Sequence, residues 1–208
     1  MIAVIDPAVA TPELECFNQL VHLSPHKLTY HLPALFGLSS LEQIRASVSG
    51  ILILGSRSSV WDKLPWQAQL TDWLWPFLKK GVPTLGLCFG HQFLAQLHGA
   101  KVEYLSVDKK KVQGFRQVKI EQSRLWGNCS GELFGSHCEV VTSVPKGFRK
   151  IASSEPSKIE GLEHESLPIY TLQSHPEAVP NFLQNNLDSN LFSFGHKLIE
   201  KYFLNLRA

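Results

Sequence analysis

Short, unbroken apolar runs recur along the chain at residues 2–5, 50–54, 167–172 and in the stretch that Gly81 and Pro83 open and Cys88 ends. Runs of this length and continuity predict strands covered on both faces, as in a parallel sheet. Residues 26–32 predict a further strand, and residues 101–105, 148–152 and 158–162 read as shorter ones. Residues 115–120 alternate apolar and polar side chains, the pattern of an antiparallel strand with one wet face. Between these lie helical periods. Thr11-Pro12-Glu13 reads as an N-cap with proline at the first helical position, and Leu14, Phe17, Leu20 and Val21 form its core-facing stripe. Trp66, Leu70, Trp73 and Phe77 fall on one helical face, with Trp75 off it, and Lys79-Lys80-Gly81 supplies cations and a glycine at the carboxyl end. Phe89, Phe93, Leu94 and Leu97 repeat at helical spacing after Cys88. Asp188, Ser189 and Asn190 offer caps for a final helix through Phe192, Leu198, Ile199, Tyr202 and Phe203. Strands alternating with helices predict an α/β fold, and residues 1–208 suit one domain.

Composition narrows the function classes. A hydrophobic fraction of 44% with 18% charged residues is ordinary for a folded domain, and a formal charge of +2 gives no pull toward nucleic acid or membrane. No stretch reaches membrane-spanning length, and residues 1–6 lack the basic flank of a signal peptide. Cys16, Cys88, Cys129 and Cys138 form no C-x-x-C pair and no metal-ligand spacing, and His22, His26 and His31 have no carboxylate or cysteine beside them. No metal and no cofactor are expected, and a reducing cytoplasm is the expected setting.

The chemistry concentrates at Gly86-Leu87-Cys88-Phe89-Gly90, where an apolar strand meets a helical period. G-x-C-x-G is the cysteine counterpart of G-x-S-x-G, in which flanking glycines relieve crowding around a strained residue pushed out of a sharp turn. The first amides of the new helix favour a thiolate, and that of Phe89 is placed to hold an oxyanion. A cysteine at an apolar junction is also commonly an inert core residue. A thiolate nucleophile needs a base, and Gln173-Ser174-His175-Pro176-Glu177 follows an apolar run, so His175 is the candidate base and Glu177 the group that orients it.

With this elbow and an H-P-E, the chain resembles the class I glutamine amidotransferases, whose elbow reads G-x-C-x-G-x-Q; Cys88, Gln92, His175 and Glu177 occupy the matching positions. Gly55-Ser56, Gly135-Ser136-His137 and residues 144–148 followed by 151–154 occur in the order seen in the amidotransferase domain of GMP synthetases and their stand-alone relatives. The resemblance implies a flavodoxin-like, open and mostly parallel sheet flanked by helices, with an added antiparallel segment. It implies glutamine hydrolysis by Cys88, His175 and Glu177, an oxyanion hole from Gly55, Ser56 and Phe89, and substrate contacts from Gln92, Ser136, His137 and Cys138. The chain departs from the family pattern at Ser56 and Arg57, at Cys138 where glycine is usual, and at Ser174 where a bulky aromatic is usual. No P-loop or other nucleotide-binding stretch follows, so the ammonia acceptor is expected on another polypeptide. Two other readings stay open: a γ-glutamyl peptidase or hydrolase on the same triad, and a non-catalytic domain that binds a partner or senses oxidation through Cys88.

Overall fold

A computed structural model describes residues 1–180 and 188–206. In chain order the strands are β1 (Ile2–Ile5), β2 (Leu28–His31), β3 (Gly50–Ile53), β4 (Thr84–Leu87), β5 (Val102–Tyr104), β6 (Val112–Ser123), β7 (Gly127–His137), β8 (Glu139–Val141), β9 (Phe148–Ser154), β10 (Gly161–His164) and β11 (Ile169–Leu172). The helices are α1 (Leu14–Leu23), α2 (Pro33–Phe36), α3 (Ser39–Ile44), α4 (Pro65–Lys79), α5 (Phe89–Leu97) and α6 (Ser193–Leu204). A nine-stranded sheet runs β2-β1-β3-β4-β11-β10-β9-β6-β7, and β5 pairs with β8 in a separate two-stranded sheet. The first five strands are mutually parallel and the rest of the large sheet continues antiparallel from β11. Counted among the parallel strands alone, the order is 2-1-3-4-5, the flavodoxin-like arrangement.

Side chains of the central strands explain why helices cover both faces. Ala3, Ile5, Ile51 and Ile53 point into one core with Trp66, Leu70, Trp73 and Phe77 of α4. Ile2, Val4 and Leu52 point into the other, against Leu198, Ile199, Tyr202 and Phe203 of α6. Every residue of β1, β3, β4 and β11 is buried, which is why these segments read as continuous apolar runs rather than alternating ones. Where a polar group enters this core it is bonded: the Tyr202 hydroxyl donates to the carbonyls of Ile51 at 2.7 Å and Pro83 at 3.1 Å.

Three predicted segments are corrected. Helix α1 begins at Leu14 rather than after Thr11, because the Glu13 amide donates instead to Asp6 Oδ2 at 2.8 Å. Its buried residues are therefore Cys16 and Leu20, while Leu14 and Val21 are 54% and 47% exposed. The strand expected over 158–162 starts at Gly161, with a register shift against β9 between Gly161 and Leu162. Just ahead of it the Glu160 amide donates to Ala152 O of β9 at 3.0 Å, while its carbonyl accepts from the Gln173 amide in the loop that follows β11. Ahead of α6, Asp188 caps a 3-10 turn, Ser189–Phe192, by accepting from the Asn190 amide. Trp75, off the buried face of α4, packs on His98 with Lys79 over its ring.

Candidate active site

The carboxyl ends of β3, β4 and β11 converge, and each delivers one part of the site at the place where open α/β sheets bind ligands. Cys88 caps α5 at φ 52° and ψ −102°, a left-handed backbone that a non-glycine residue adopts only when its surroundings force it. The surroundings do so here. A Cβ on Gly86 would stand 2.5 Å from the Gly90 carbonyl oxygen, and one on Gly90 would stand 2.4 Å from that of Ile53. The two flanking glycines thus let α5 leave β4 in direct contact with β3.

His175 lies past the end of β11, in hydrogen-bonding contact with Cys88, and its Nδ1 is 2.9 Å from Glu177 Oε1. Burial acts to lower the affinity of the imidazole for a proton. The Cys88 sulfur and the Glu177 carboxylate outweigh it and raise the His175 pKa well above the usual histidine range. Gly55 forms the floor beneath this pair, since a Cβ there would stand 2.7 Å from His175 Cε1 and 3.5 Å from Cys88 Cβ. The elements carrying Cys88 and His175 are also fastened to each other. The Cys88 amide donates to Leu172 O at 2.9 Å, His91 Nδ1 meets Thr171 Oγ1 at 2.7 Å, and Gln92 Nε2 donates to Gln173 Oε1 at 3.2 Å.

The remaining predicted residues divide. Gln92 is buried beside the site and also donates to Glu139 O at 2.8 Å, so its amide holds framework groups. Ser136 turns its carbonyl toward the Cys88 sulfur at 4.0 Å. His137 is buried with Nδ1 3.0 Å from Glu139 O and Nε2 without a partner among the described residues; burial, with Arg116 second, lowers its pKa to about 3, so it is neutral. Cys138 sits at the bend between β7 and β8, its carbonyl accepting from the Leu105 amide at 2.8 Å, and is half-buried. Ser56 spends its side chain on the turn itself: Oγ donates to Pro7 O at 2.7 Å and accepts from the Ser58 amide at 3.0 Å. Phe89 is the first residue of α5, buried immediately after Cys88.

Sequence reasoning missed several neighbours. Gln173 Nε2 approaches the Cys88 sulfur at 3.9 Å, and its place directly before the Ser-His-Pro-Glu segment was the signal for it. Phe134 O accepts the His175 amide at 2.8 Å, which fixes the loop after β11 to β7. Asp6 and Glu13 lie near Glu177, and burial raises the pKa of both carboxyls. Asp6 is held by the amides of Ala8 and Glu13 and by the Tyr30 hydroxyl. Nothing in the linear spacing pointed to these. Of the histidines considered for metal, His26 bonds Phe203 O at 2.9 Å and His31 lies 2.9 Å from both Ser40 Oγ and Thr29 Oγ1, so both have packing roles.

A sulfur, an imidazole and a carboxylate in series at a strand-to-helix elbow form the arrangement with which cysteine hydrolases attack acyl groups. The fold has close counterparts among solved structures. A glutamine amidotransferase from Thermotoga maritima superposes with a TM-score of 0.74 at 18% identity, covering 97% of this chain and 96% of that one. A glutamine amidotransferase from Methylobacillus flagellatus gives 0.69 at 17% identity over 98% and 92%. At these identities the likeness is one of fold. The family model for class-I glutamine amidotransferases matches residues 34–193, and the chain belongs to that family. It is 30% identical over 167 residues to one subunit of the glutamine-hydrolyzing GMP synthase of Archaeoglobus fulgidus, a match spanning 77% of this chain and 83% of the relative. It is 31% identical over 180 residues to the glutamine-hydrolyzing GMP synthase of Wolinella succinogenes, of which it spans 33%.

Proposed function

We propose that this protein is one amidotransferase domain that hydrolyses the side-chain amide of L-glutamine and passes the ammonia to an acceptor enzyme on another chain. The observation that carries the reading is the contact of His175 with both Cys88 and Glu177 at the elbow. The Cys88 thiolate attacks the carboxamide carbon, and the oxyanion is held by the amides of Phe89 and of the Gly55-Ser56 turn. His175 then gives its proton to the departing nitrogen, releasing ammonia and leaving a γ-glutamyl thioester. In the second half His175 takes a proton from water, hydroxide adds to the thioester, and glutamate leaves with the sulfur restored as thiolate. Removing one oxyanion donor from such a site costs about 3 kcal/mol of transition-state stabilisation.

An acceptor on a separate chain is supported by the likeness to one subunit of a GMP synthase. The chain covers 83% of the Archaeoglobus relative, which is one subunit of its enzyme, but 33% of the longer Wolinella GMP synthase. No described helix is long and apolar enough to cross a membrane. We assign the site to a reducing cytoplasm, where Cys88 stays a thiol. Ammonia release from glutamine, compared with amine release from γ-glutamyl peptides and repeated with candidate synthetases added, tests the reading. Ammonia from glutamine that disappears in Cys88→Ala supports it. Turnover of γ-glutamyl peptides alone turns the assignment to a peptidase, and loss of both turns it to a binding domain.

A further inference from the structure

Beneath the loop that carries His175 lies a buried ion pair that the catalytic reading does not use. Arg116 of β6 places Nη2 3.1 Å from both carboxylate oxygens of Glu160, with 8% and 0% of the two side chains exposed. Glu160 also accepts from Ser154 Oγ at 2.8 Å and from the Ser174 hydroxyl, while its main-chain carbonyl accepts the Gln173 amide at 2.7 Å. One residue therefore grips both residues that precede His175. On its other side the pair reaches β7: a Cβ on Gly135 would stand 1.9 Å from Arg116 Nη1, so the guanidinium lies against the bare backbone of the residue before Ser136. The Ser136 carbonyl and the Gln173 side-chain Nε2 face the Cys88 sulfur, at 4.0 and 3.9 Å.

We infer that Arg116 and Glu160 are positioning residues that clamp the loop carrying His175 to the β7 wall of the site and so set the distance between the His175 ring and the Cys88 sulfur. A purely stabilising role accounts poorly for the arrangement. Buried ion pairs contribute little net stability against an apolar replacement, and this one leaves Arg116 Nε and Nη1 without partners among the described residues. What the pair supplies is a fixed geometry for the two hydrogen bonds that Gln173 and Ser174 make to Glu160, on a loop that otherwise holds to β7 through the His175 amide. The sulfur–imidazole contact and its use in catalysis are those of the proposed function, and this inference rests on them.

The test compares Glu160→Gln and Ser174→Ala with Glu163→Gln. Glu163 is an equally buried carboxylate, paired with Arg124 and Arg149 and bonded to Ser123, and serves as the control for loss of a buried ion pair elsewhere in the sheet. The readouts are the pH profile of Cys88 alkylation by iodoacetamide, resolved from the other cysteines by mass spectrometry, and kcat and KM for ammonia release. Both are measured at a temperature where each variant is fully folded by near-ultraviolet circular dichroism. Cys88, Glu177, Glu13 and His137 are among the titratable groups whose charges reach His175, and none of these is altered. Removing the negative charge of Glu160 would by itself favour the thiolate and lower the midpoint; loosening the loop raises it, so the direction separates the two effects.

The expected result is a midpoint raised by about one pH unit in Glu160→Gln and Ser174→Ala, equivalent to roughly tenfold less thiolate near neutrality. With it goes a kcat about tenfold lower at a KM changed by less than about threefold, as for a group acting through orientation. Glu163→Gln keeps the wild-type profile. Wild-type profiles in folded Glu160→Gln and Ser174→Ala overturn the inference, and so does an equal shift in Glu163→Gln. If Glu160→Gln does not fold, Ser174→Ala, which leaves the ion pair whole, decides by itself. A wild-type protein that releases no ammonia refutes the glutaminase reading, while the alkylation profiles still decide whether the clamp sets the pair.

Discussion

Gly55 lies so close under the His175 ring that a methyl group on its α-carbon would stand 2.7 Å from Cε1, nearer than carbon atoms approach without one of them moving. The imidazole also meets Cys88 and, through Nδ1, Glu177, so a displacement of the ring disturbs those contacts. Gly55→Ala is expected to lower kcat for glutamine by about 10²-fold, the scale of a misplacement near 1 Å. Steady-state kinetics at a temperature where the variant is folded check this. A rate within a factor of two of wild type would mean that the ring can yield without loss.

The strained elbow predicts a split between stability and activity. Cys88 holds φ at 52°, which alanine resists and glycine accepts. Cys88→Gly should therefore be more stable than Cys88→Ala by about 1 kcal/mol in urea denaturation. Both are expected to release no ammonia. Equal stabilities would show that the turn is not strained.

In the proposed mechanism Glu177 acts through His175 rather than on substrate, so its loss should be partial. Glu177→Gln is expected to reduce kcat by roughly 10²–10⁴-fold, less than Cys88→Ala, because an orienting group contributes less than the nucleophile it serves. Small and equal losses from the two substitutions would contradict the roles assigned to both.

The raised pKa of His175 makes a prediction about stability. A histidine whose folded pKa exceeds its unfolded value near 6.5 binds more protons in the folded state, so its contribution is fully present below that pH and fades as pH rises through the folded value. Denaturation of wild type and His175→Gln across pH should show a stability gap that is widest on the acid side and narrows upward. A gap that widens with rising pH would reverse the sign of the shift and place the proton elsewhere.

Gly90 is where α5 touches β3, and a Cβ there would meet the Ile53 carbonyl oxygen at 2.4 Å, a main-chain atom with no rotamer to change. Gly90→Ala is expected to cost about 1–3 kcal/mol, read as a lower urea midpoint at constant slope.

Much of this was legible because it is local. The continuous burial of β1, β3, β4 and β11 dictates unbroken apolar runs, and the elbow dictates two glycines around Cys88, so sequence order and composition carry both. Helix α1 shows where locality fails: proline and threonine mark a start that the Asp6 carboxylate, buried just past the end of β1, moves to Leu14 by taking the Glu13 amide. The Ser56 hydroxyl likewise finds a distant partner, donating to Pro7 O 49 residues away.

From sequence alone came the strand-to-helix elbow, the nucleophile candidate with its histidine and glutamate, and the alternation that builds an α/β sheet, because each is written within a few consecutive residues by backbone sterics and side-chain period. Tertiary structure alone decided that Gln173 faces the sulfur, that Phe134 anchors the histidine loop, and that Arg116 of β6 reaches Glu160 ahead of β10. Those partners are far apart in the chain, 44 residues for Arg116 and Glu160 and 85 for Cys88 and Gln173, and they meet only because β-pairing closes the chain on itself, a condition that no local pattern of residues records.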